Sequence, residues 1–91
     1  MAVTVDLTKM PNHDQLSGNF VAVTPTDDTA VTVAGKYPRK IFVGTGGDLV
    51  LYNSLGNPII FKNVPNAWSE TLIFTGVADT NNDASDIIAI G

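Results

Sequence analysis

Apolar positions recur along the chain in short runs that are separated by turn residues. From Phe20 onward, runs rich in Val, Ile, Thr and aromatic residues alternate with Gly, Asn, Asp and Pro about every 8–12 residues. This spacing is typical of a small antiparallel β-sandwich or barrel, and no segment requires a helix. The sequence therefore predicts an all-β domain with strands at 20–24, 29–34, 40–43, 49–53, 59–62, 70–77 and 86–90.

The first residues have a different character from the rest. The segment "MAVTVDLT" has the composition of a short strand, but "KMPNHDQLSGN" has no sustained period and carries Pro11 and Gly18. We therefore predict an extended N-terminal arm over residues 1–19, followed by one β-sandwich or barrel domain over residues 20–91. A chain of 91 residues has room for one domain.

Several of the predicted strands are apolar on both faces. Successive side chains of a strand point to opposite sides, so Ile41 and Val43 face one way and Phe42 the other. The run 86–90 shows the same double apolar character. A two-layer domain fills its interior with one face only. We expect other protein, in a homo-oligomer or a larger shell, to cover the second face; the alternative is a barrel with scattered exposed Ile and Val.

Composition supports a chain that hides part of its surface. Charged residues make up 15% of the sequence, against roughly 25% in typical globular proteins. The net charge of −4 and the scattered basic residues argue against nucleic-acid binding. No apolar run approaches the length of a membrane span, and the N-terminus has no secretory-signal pattern. The sequence has no cysteine, which excludes disulfides and thiolate metal sites.

No motif in the sequence predicts catalysis, a metal site or a cofactor site. His13 and Asp14 are adjacent and do not form a catalytic relay. The segment "DTNND" (79–83) has the spacing of a calcium loop but lacks the Gly and Glu which that loop requires, so a polar turn is the better interpretation. The glycines of "GTGGD" suit a hairpin turn. Trp68 suits either a contact with a partner or sugar, or a cap on the end of the barrel.

Four segments of the chain closely resemble small virion proteins of tailed phages and gene transfer agents, of the head spike-base or capsid-decoration type. The resemblance covers about residues 24–91 and departs from the family pattern after Pro65 and in the turn that precedes the last strand. The segments that carry it are "TPTDDTAV", "PRKIFVGTGGDLVLY", "IIFKNVP" and "GVADTNNDASDIIAI".

The resemblance implies a non-enzymatic capsid decoration (cement) protein on the exterior of a virion. Such a protein binds the major capsid protein and stabilises the shell. Because proteins of this type commonly assemble as trimers, the resemblance favours a trimer. Two alternatives remain open: a spike-base or tail-associated adaptor that holds a receptor-binding protein, and a carbohydrate-binding β-module that uses Trp68. We expect the arm to lie extended on a neighbouring subunit or on the shell. The residues expected at interfaces are Val3, Val5, Leu7, Phe20, Arg39 and Trp68.

Overall fold

The protein is a sandwich of two antiparallel sheets. A computed structural model describes residues 2–10 and 19–91. These residues form a short 3-10 helix at Leu7–Lys9 and seven strands. The strands are β1 (Phe20–Val23), β2 (Lys40–Thr45), β3 (Gly47–Tyr52), β4 (Pro58–Val64), β5 (Trp68–Glu70), β6 (Gly76–Val77) and β7 (Ser85–Ile90).

The strands divide into one sheet of four and one of three. The four-stranded sheet has the order β1-β7-β2-β5, and the three-stranded sheet has the order β4-β3-β6. Every pairing is antiparallel. The all-β prediction is confirmed, and the arrangement is a sandwich. Within the described ranges, no helix has the length and hydropathy that spanning a membrane requires.

The core lies between the two sheets and follows the predicted alternation. The inward side chains of β2, Ile41 and Val43, are completely buried, whereas Phe42 between them is half-buried. In β7, Ile87 and Ala89 point inward in the same way. Burying such side chains contributes roughly 1.5–3 kcal/mol each for the larger ones. The other buried members of this core are Val33, Leu49, Leu51, Val64, Phe74, Val77 and Ala84.

Two of the predicted strands are wrong. Residues 29–34 make only an isolated bridge between Val33 and Lys36, because the chain turns tightly there with Ala34 and Gly35 at positive φ. The run 70–77 is not one strand. Its ends belong to different sheets, β5 and β6, and residues 71–75 cross from one sheet to the other. A run of β-forming residues does not show that its two ends pair with different sheets.

The N-terminal residues pack against the three-stranded sheet of the same chain. Residues 2–6 are extended without forming a strand, and Asp6 caps the 3-10 helix by accepting a hydrogen bond from the Thr8 N–H at 3.0 Å. The Val3 N–H donates to the Gly56 carbonyl at 2.9 Å, and the Tyr37 N–H donates to the Lys9 carbonyl at 2.7 Å. Residues 11–18 of the predicted arm lie outside the described residues, so a contact with a neighbour stays a prediction for them.

Val3 completes a second, smaller core on the outer face of the three-stranded sheet. Its side chain is 4% exposed and contacts Val50 and Tyr52, the outward residues of β3, together with Ala78. We call this surface the covered face. The N-terminal segment therefore covers the outward side chains of β3, whereas Ile60 of β4, which lies opposite Val50, is still 46% exposed.

Candidate interaction surface

The outer face of the four-stranded sheet carries a contiguous apolar surface. The strand register places Phe20 opposite Ile90 and Ala22 opposite Ile88, across β1 and β7. The same register places Phe42 of β2 on the other side of Ile88. We call these five residues the open face. Because cross-strand partners have their Cβ atoms about 4.5–5.5 Å apart, the open face is one continuous patch.

The open face is uncovered in the described part of the chain. Phe20 is 69% exposed, and Phe42, Ile88 and Ile90 are each partly exposed. A shallow depression of about 440 Å³ runs over Phe20, Phe42, Ile88 and Ile90 and is bounded by Lys40 and Ser69. Aromatic and aliphatic side chains grouped in this way mark interaction sites more often than single exposed residues do.

Two opposite charges flank the open face. Lys40 precedes Phe42 by two residues on β2 and lies opposite Ile90. Asp86 precedes Ile88 by two residues on β7, which is antiparallel to β2. The Asp86 Cβ lies beside Gly44, only 2.8 Å from the position that a Cβ on Gly44 would occupy. The Lys40 ammonium therefore lies near one end of the patch, and the Asp86 carboxylate lies near the other.

The position of the Asp86 side chain is fixed locally. Its backbone has a φ of 56°, a left-handed conformation that Asp tolerates better than most residues. The Thr45 hydroxyl donates a hydrogen bond to Asp86 Oδ2 at 2.9 Å. Gly44 leaves room for the carboxylate because any side chain there would clash with the Asp86 Cβ. The anion is thus held over the end of β2.

A separate apolar cleft opens at one edge of the sandwich. It has a volume of about 150 Å³ and lies between β4 and the segment that joins β5 to β6. Ile59 and Ile73 on its rim are 46% and 40% exposed. We call Ile59, Phe61, Leu72 and Ile73 the apolar cleft. It is lined almost entirely by carbon, so it offers a second surface on which a partner can bury apolar area.

The residues expected at interfaces from the sequence lie in several different places. Phe20 lies on the open face. Val3 is buried and Val5 half-buried by their own chain, whereas Leu7 is 78% exposed on the 3-10 helix. Arg39 is partly buried, and its backbone N–H donates to the Ile90 carbonyl at 3.0 Å. The six residues therefore do not form one surface.

Trp68 packs at the edge of its own domain. Its ring centroid is 6.0 Å from that of Phe61 with an interplanar angle of 50°, a favourable tilted aromatic contact. The side chain is partly buried against the main core. This contact joins the free edges of the two sheets. Sugar stacking by Trp68 stays a prediction, and much of the ring surface is already in contact with protein.

The acidic turn that resembles a calcium loop is held by hydrogen bonds within the chain. Asp27 Oδ1 accepts from the N–H groups of Asp79 and Thr80 at 2.8 and 3.0 Å, and the Thr80 hydroxyl donates to Asp27 Oδ2. The hydroxyl and then the N–H of Thr80 are the main causes that lower the pKa of Asp27. Asn82 Oδ1 accepts from the Val50 N–H at 3.1 Å. The turn therefore ties β6 and β7 to neighbouring segments.

No metal-binding cluster is present among residues 2–10 and 19–91. His13 and Asp14 lie outside the described residues. Sequence reasoning also missed Phe42, Lys40, Asp86, Ile88 and Ile90 as site residues. The alternation of apolar residues was the available signal for three of them, but it did not show which of the two sheets would keep an uncovered face.

Comparison of the chain with protein-family models, with curated proteins and with solved structures finds no match. The surface must therefore be interpreted from its own geometry and chemistry.

Proposed function

We propose that the chain is a structural protein of a tailed-phage or gene transfer agent virion. In this proposal it is a capsid decoration protein that binds the major capsid protein on the exterior of the shell and stabilises the lattice. The resemblance of residues 24–91 to small virion proteins suggests that the chain belongs to such a particle, and the open face supports a role in its assembly.

The observation that carries the proposal is the open face. A sheet face with Phe20, Phe42, Ile88 and Ile90 directed outward leaves apolar area in contact with water. Covering such an area with protein stabilises an assembly by roughly 25 cal/mol for each Å² buried. A subunit that works inside a particle gains from this surface, whereas a solitary soluble domain gains nothing from it.

The apolar cleft supports the same role. A decoration subunit contacts its own copies and the shell, and so needs more than one surface. The cleft lies between β4 and the segment that joins β5 to β6, whereas the open face lies on the outside of the four-stranded sheet. The two surfaces therefore allow one subunit to contact two neighbours at the same time.

Binding to empty shells tests the proposed function. Purified chain is mixed with shells assembled from the major capsid protein of the same particle, and the bound chain is measured after sedimentation. We expect saturable binding with a copy number that scales with that of the major capsid protein. A few copies per particle would instead identify a spike-base adaptor, and an absence of cosedimentation would contradict both roles.

A pair of matched variants sharpens this experiment. Ile73→Ser removes an apolar side chain from the cleft, and Leu55→Ser removes one that is 77% exposed and lies outside both the cleft and the open face. We expect Ile73→Ser to weaken binding to shells by about tenfold, because it removes an apolar contact in the complex. Leu55→Ser should bind like the wild type. Equal binding by both variants would exclude the cleft as the contact with the shell.

A further inference from the structure

We propose that the open face binds the open face of a second copy of the chain, around a twofold axis that lies in the interface and crosses the strands. The inference goes beyond the proposed function, because it concerns the isolated chain and holds whether or not the chain is part of a virion. It assigns the occupant of the open face and names the residues that set the orientation of the two copies.

The positions of the two charges carry the inference. Phe42 and Ile88 are cross-strand partners at the middle of the face. Lys40 lies two residues before Phe42 on β2, and Asp86 lies two residues before Ile88 on the antiparallel β7. Each charge is therefore displaced by about 7 Å from the Phe42–Ile88 pair, in opposite directions along the strands. The cation and the anion lie diagonally across the centre of the patch.

This diagonal arrangement is self-complementary. When two such faces meet around a twofold axis over the Phe42–Ile88 pair, Lys40 of each copy lies over Asp86 of the other. The interface is isologous, so each contact occurs twice. Phe42 and Ile88 then lie at the centre of the interface, where aromatic and aliphatic anchors contribute most. The tilt of this axis makes the strands of the two sheets cross at a modest angle, as in packed sandwiches.

The charges are available for this contact. In the described part of the chain Lys40 makes no ion pair, and the pair that joins Lys62 to Asp48 at 3.1 Å lies away from the open face. Asp86 Oδ2 accepts from Thr45, which holds the carboxylate in place and leaves Oδ1 for a second donor. Fixing the anion before association reduces the entropy that is lost when the two copies meet.

The size of the face sets the strength of the contact. Four strands spaced by about 4.8 Å and up to six residues long give a footprint of roughly 400 Å² on each copy. The two footprints together, roughly 800 Å², are smaller than the roughly 1,200–2,000 Å² that stable interfaces bury and lie in the range of weak, transient contacts. We therefore expect a reversible dimer that is populated at micromolar or higher concentration. Such a dimer would become persistent when other contacts hold the copies near each other.

Twofold pairing differs from the threefold assembly that the resemblance implies. A closed trimer requires the open face to meet a different surface of the next copy, because ring interfaces are heterologous. In such a contact Lys40 and Asp86 of one copy would not pair with Asp86 and Lys40 of another, so their matched positions would not stabilise it. The mass of the assembled species in solution therefore separates the two arrangements.

Charge reversal with mixing tests the twofold contact. The full chain and its variants are studied by sedimentation equilibrium across a concentration series. In a dimer of Lys40→Glu, carboxylates face each other at both charge contacts, and in a dimer of Asp86→Lys, ammonium groups do. Because like charges repel across an interface, we expect each variant to weaken self-association by about tenfold. An equimolar mixture of the two should recover a heterodimer to within about threefold of the wild-type affinity. In that heterodimer, one charge contact pairs the wild-type residues and the other pairs the two reversed ones, so both are attractive.

Lys36→Glu is the control, since it makes the same charge change outside the open face. It should leave self-association unchanged. Recovery in the mixture supports the proposal. A monomeric wild type at high concentration, a trimer, or a mixture that stays dissociated overturns it. Should Asp86→Lys fail to fold, the salt dependence of the wild type is compared with that of Lys40→Gln; equal salt dependence overturns the charge contact. Shell binding is measured separately, so the two proposals can fail independently.

Discussion

The outer faces of the two sheets both carry aliphatic and aromatic side chains, but the N-terminal segment covers only one of them. On the covered face, Val50 and Tyr52 are buried beneath Val3. On the open face, Phe42 and Ile88 remain partly exposed, and nothing in the described part of the chain lies over them. Apolar strands therefore indicate a need for cover without indicating whether the cover comes from the same chain.

The difference has a local cause at the turn between β3 and β4. Gly56 has a φ of 84°, and a Cβ there would lie 2.0 Å from the Val3 carbonyl oxygen. The absence of a side chain lets the N-terminal segment approach closely enough for the Val3 N–H to donate to the Gly56 carbonyl. Tyr37 anchors the same segment further along, because its hydroxyl accepts from the Asp6 N–H at 2.8 Å.

Gly56→Ala should have the largest effect on stability. The added methyl group collides with the Val3 carbonyl and is strained at positive φ, so the N-terminal cover must move away. We expect the free energy of unfolding to fall by about 3 kcal/mol, from the strain together with the lost burial of Val3. Urea denaturation followed by tryptophan fluorescence measures this change.

Gly35→Ala is the matched control for that prediction. Gly35 also has positive φ, at 80°, but nothing lies within 4 Å of the position of an added Cβ. It should cost about 1 kcal/mol, which is the strain alone. Equal losses of stability in the two variants would show that the close approach of Val3 does not matter.

Val3→Ser and Phe20→Ser compare the two faces directly and come next in size. Val3 is 4% exposed, whereas Phe20 is 69% exposed. At a concentration below the dissociation constant of any self-association, we expect Val3→Ser to lower the free energy of unfolding by about 2 kcal/mol and Phe20→Ser to lower it by less than about 0.5 kcal/mol. Thermal unfolding at low concentration makes the measurement. A large loss with Phe20→Ser would mean that the open face is already covered in the single chain.

Tyr37→Phe should have a smaller effect on the covered face. The substitution removes the hydroxyl that accepts from the Asp6 N–H and keeps the buried ring. We expect a loss of about 1 kcal/mol and faster hydrogen exchange at the Asp6 amide. The exchange rates of amides in β7 are the internal control, because they report on the four-stranded sheet. Unchanged exchange at Asp6 would contradict the role of this bond in holding the cover.

Acid should weaken the side of the molecule that carries the covered face. Hydrogen bonds from Thr8 lower the pKa of Asp6, and hydrogen bonds from Thr80 lower the pKa of Asp27, each from an ordinary value of 3.8. A carboxyl with a lowered pKa in the folded state stabilises the fold above the pKa of the unfolded chain. That contribution is lost as the pH falls through the lower, folded-state pKa.

Asp27→Asn tests this expectation. An asparagine keeps a carbonyl oxygen that accepts from the Asp79 and Thr80 amides but does not titrate. We therefore expect the variant to lose less stability than the wild type between about pH 5 and about pH 2. The unfolding midpoint in urea across this range is the measurement. An unchanged slope with pH would exclude Asp27 as a contributor to acid sensitivity.

Much of the fold could be predicted from the sequence because it follows local rules. The alternation of Ile41, Phe42 and Val43 correctly separated buried from outward positions. The failures lie where tertiary context overrides local preference. The run 70–77 has the composition of one strand, and its division between two sheets depends on partners that are distant in sequence.

The candidate site was predicted only in part. Phe20 lies on the open face. Val3 was expected to contact a partner, but its side chain is buried against residues of its own chain. The sequence did not predict Lys40 and Asp86 as site residues, because each is a single charged residue at the end of a predicted strand. Their relation appears only when the register of β2 and β7 brings both to the same face.

By itself, the sequence determined that this chain is an all-β domain with more apolar strand surface than one interior can hold, because side-chain alternation and turn chemistry are local properties of the chain. Only the tertiary structure decided which of the two outer faces residues 2–10 cover and which face the described residues leave open. That choice depends on contacts between distant segments, such as the approach of Val3 to Gly56, and residue-by-residue preference carries no information about them.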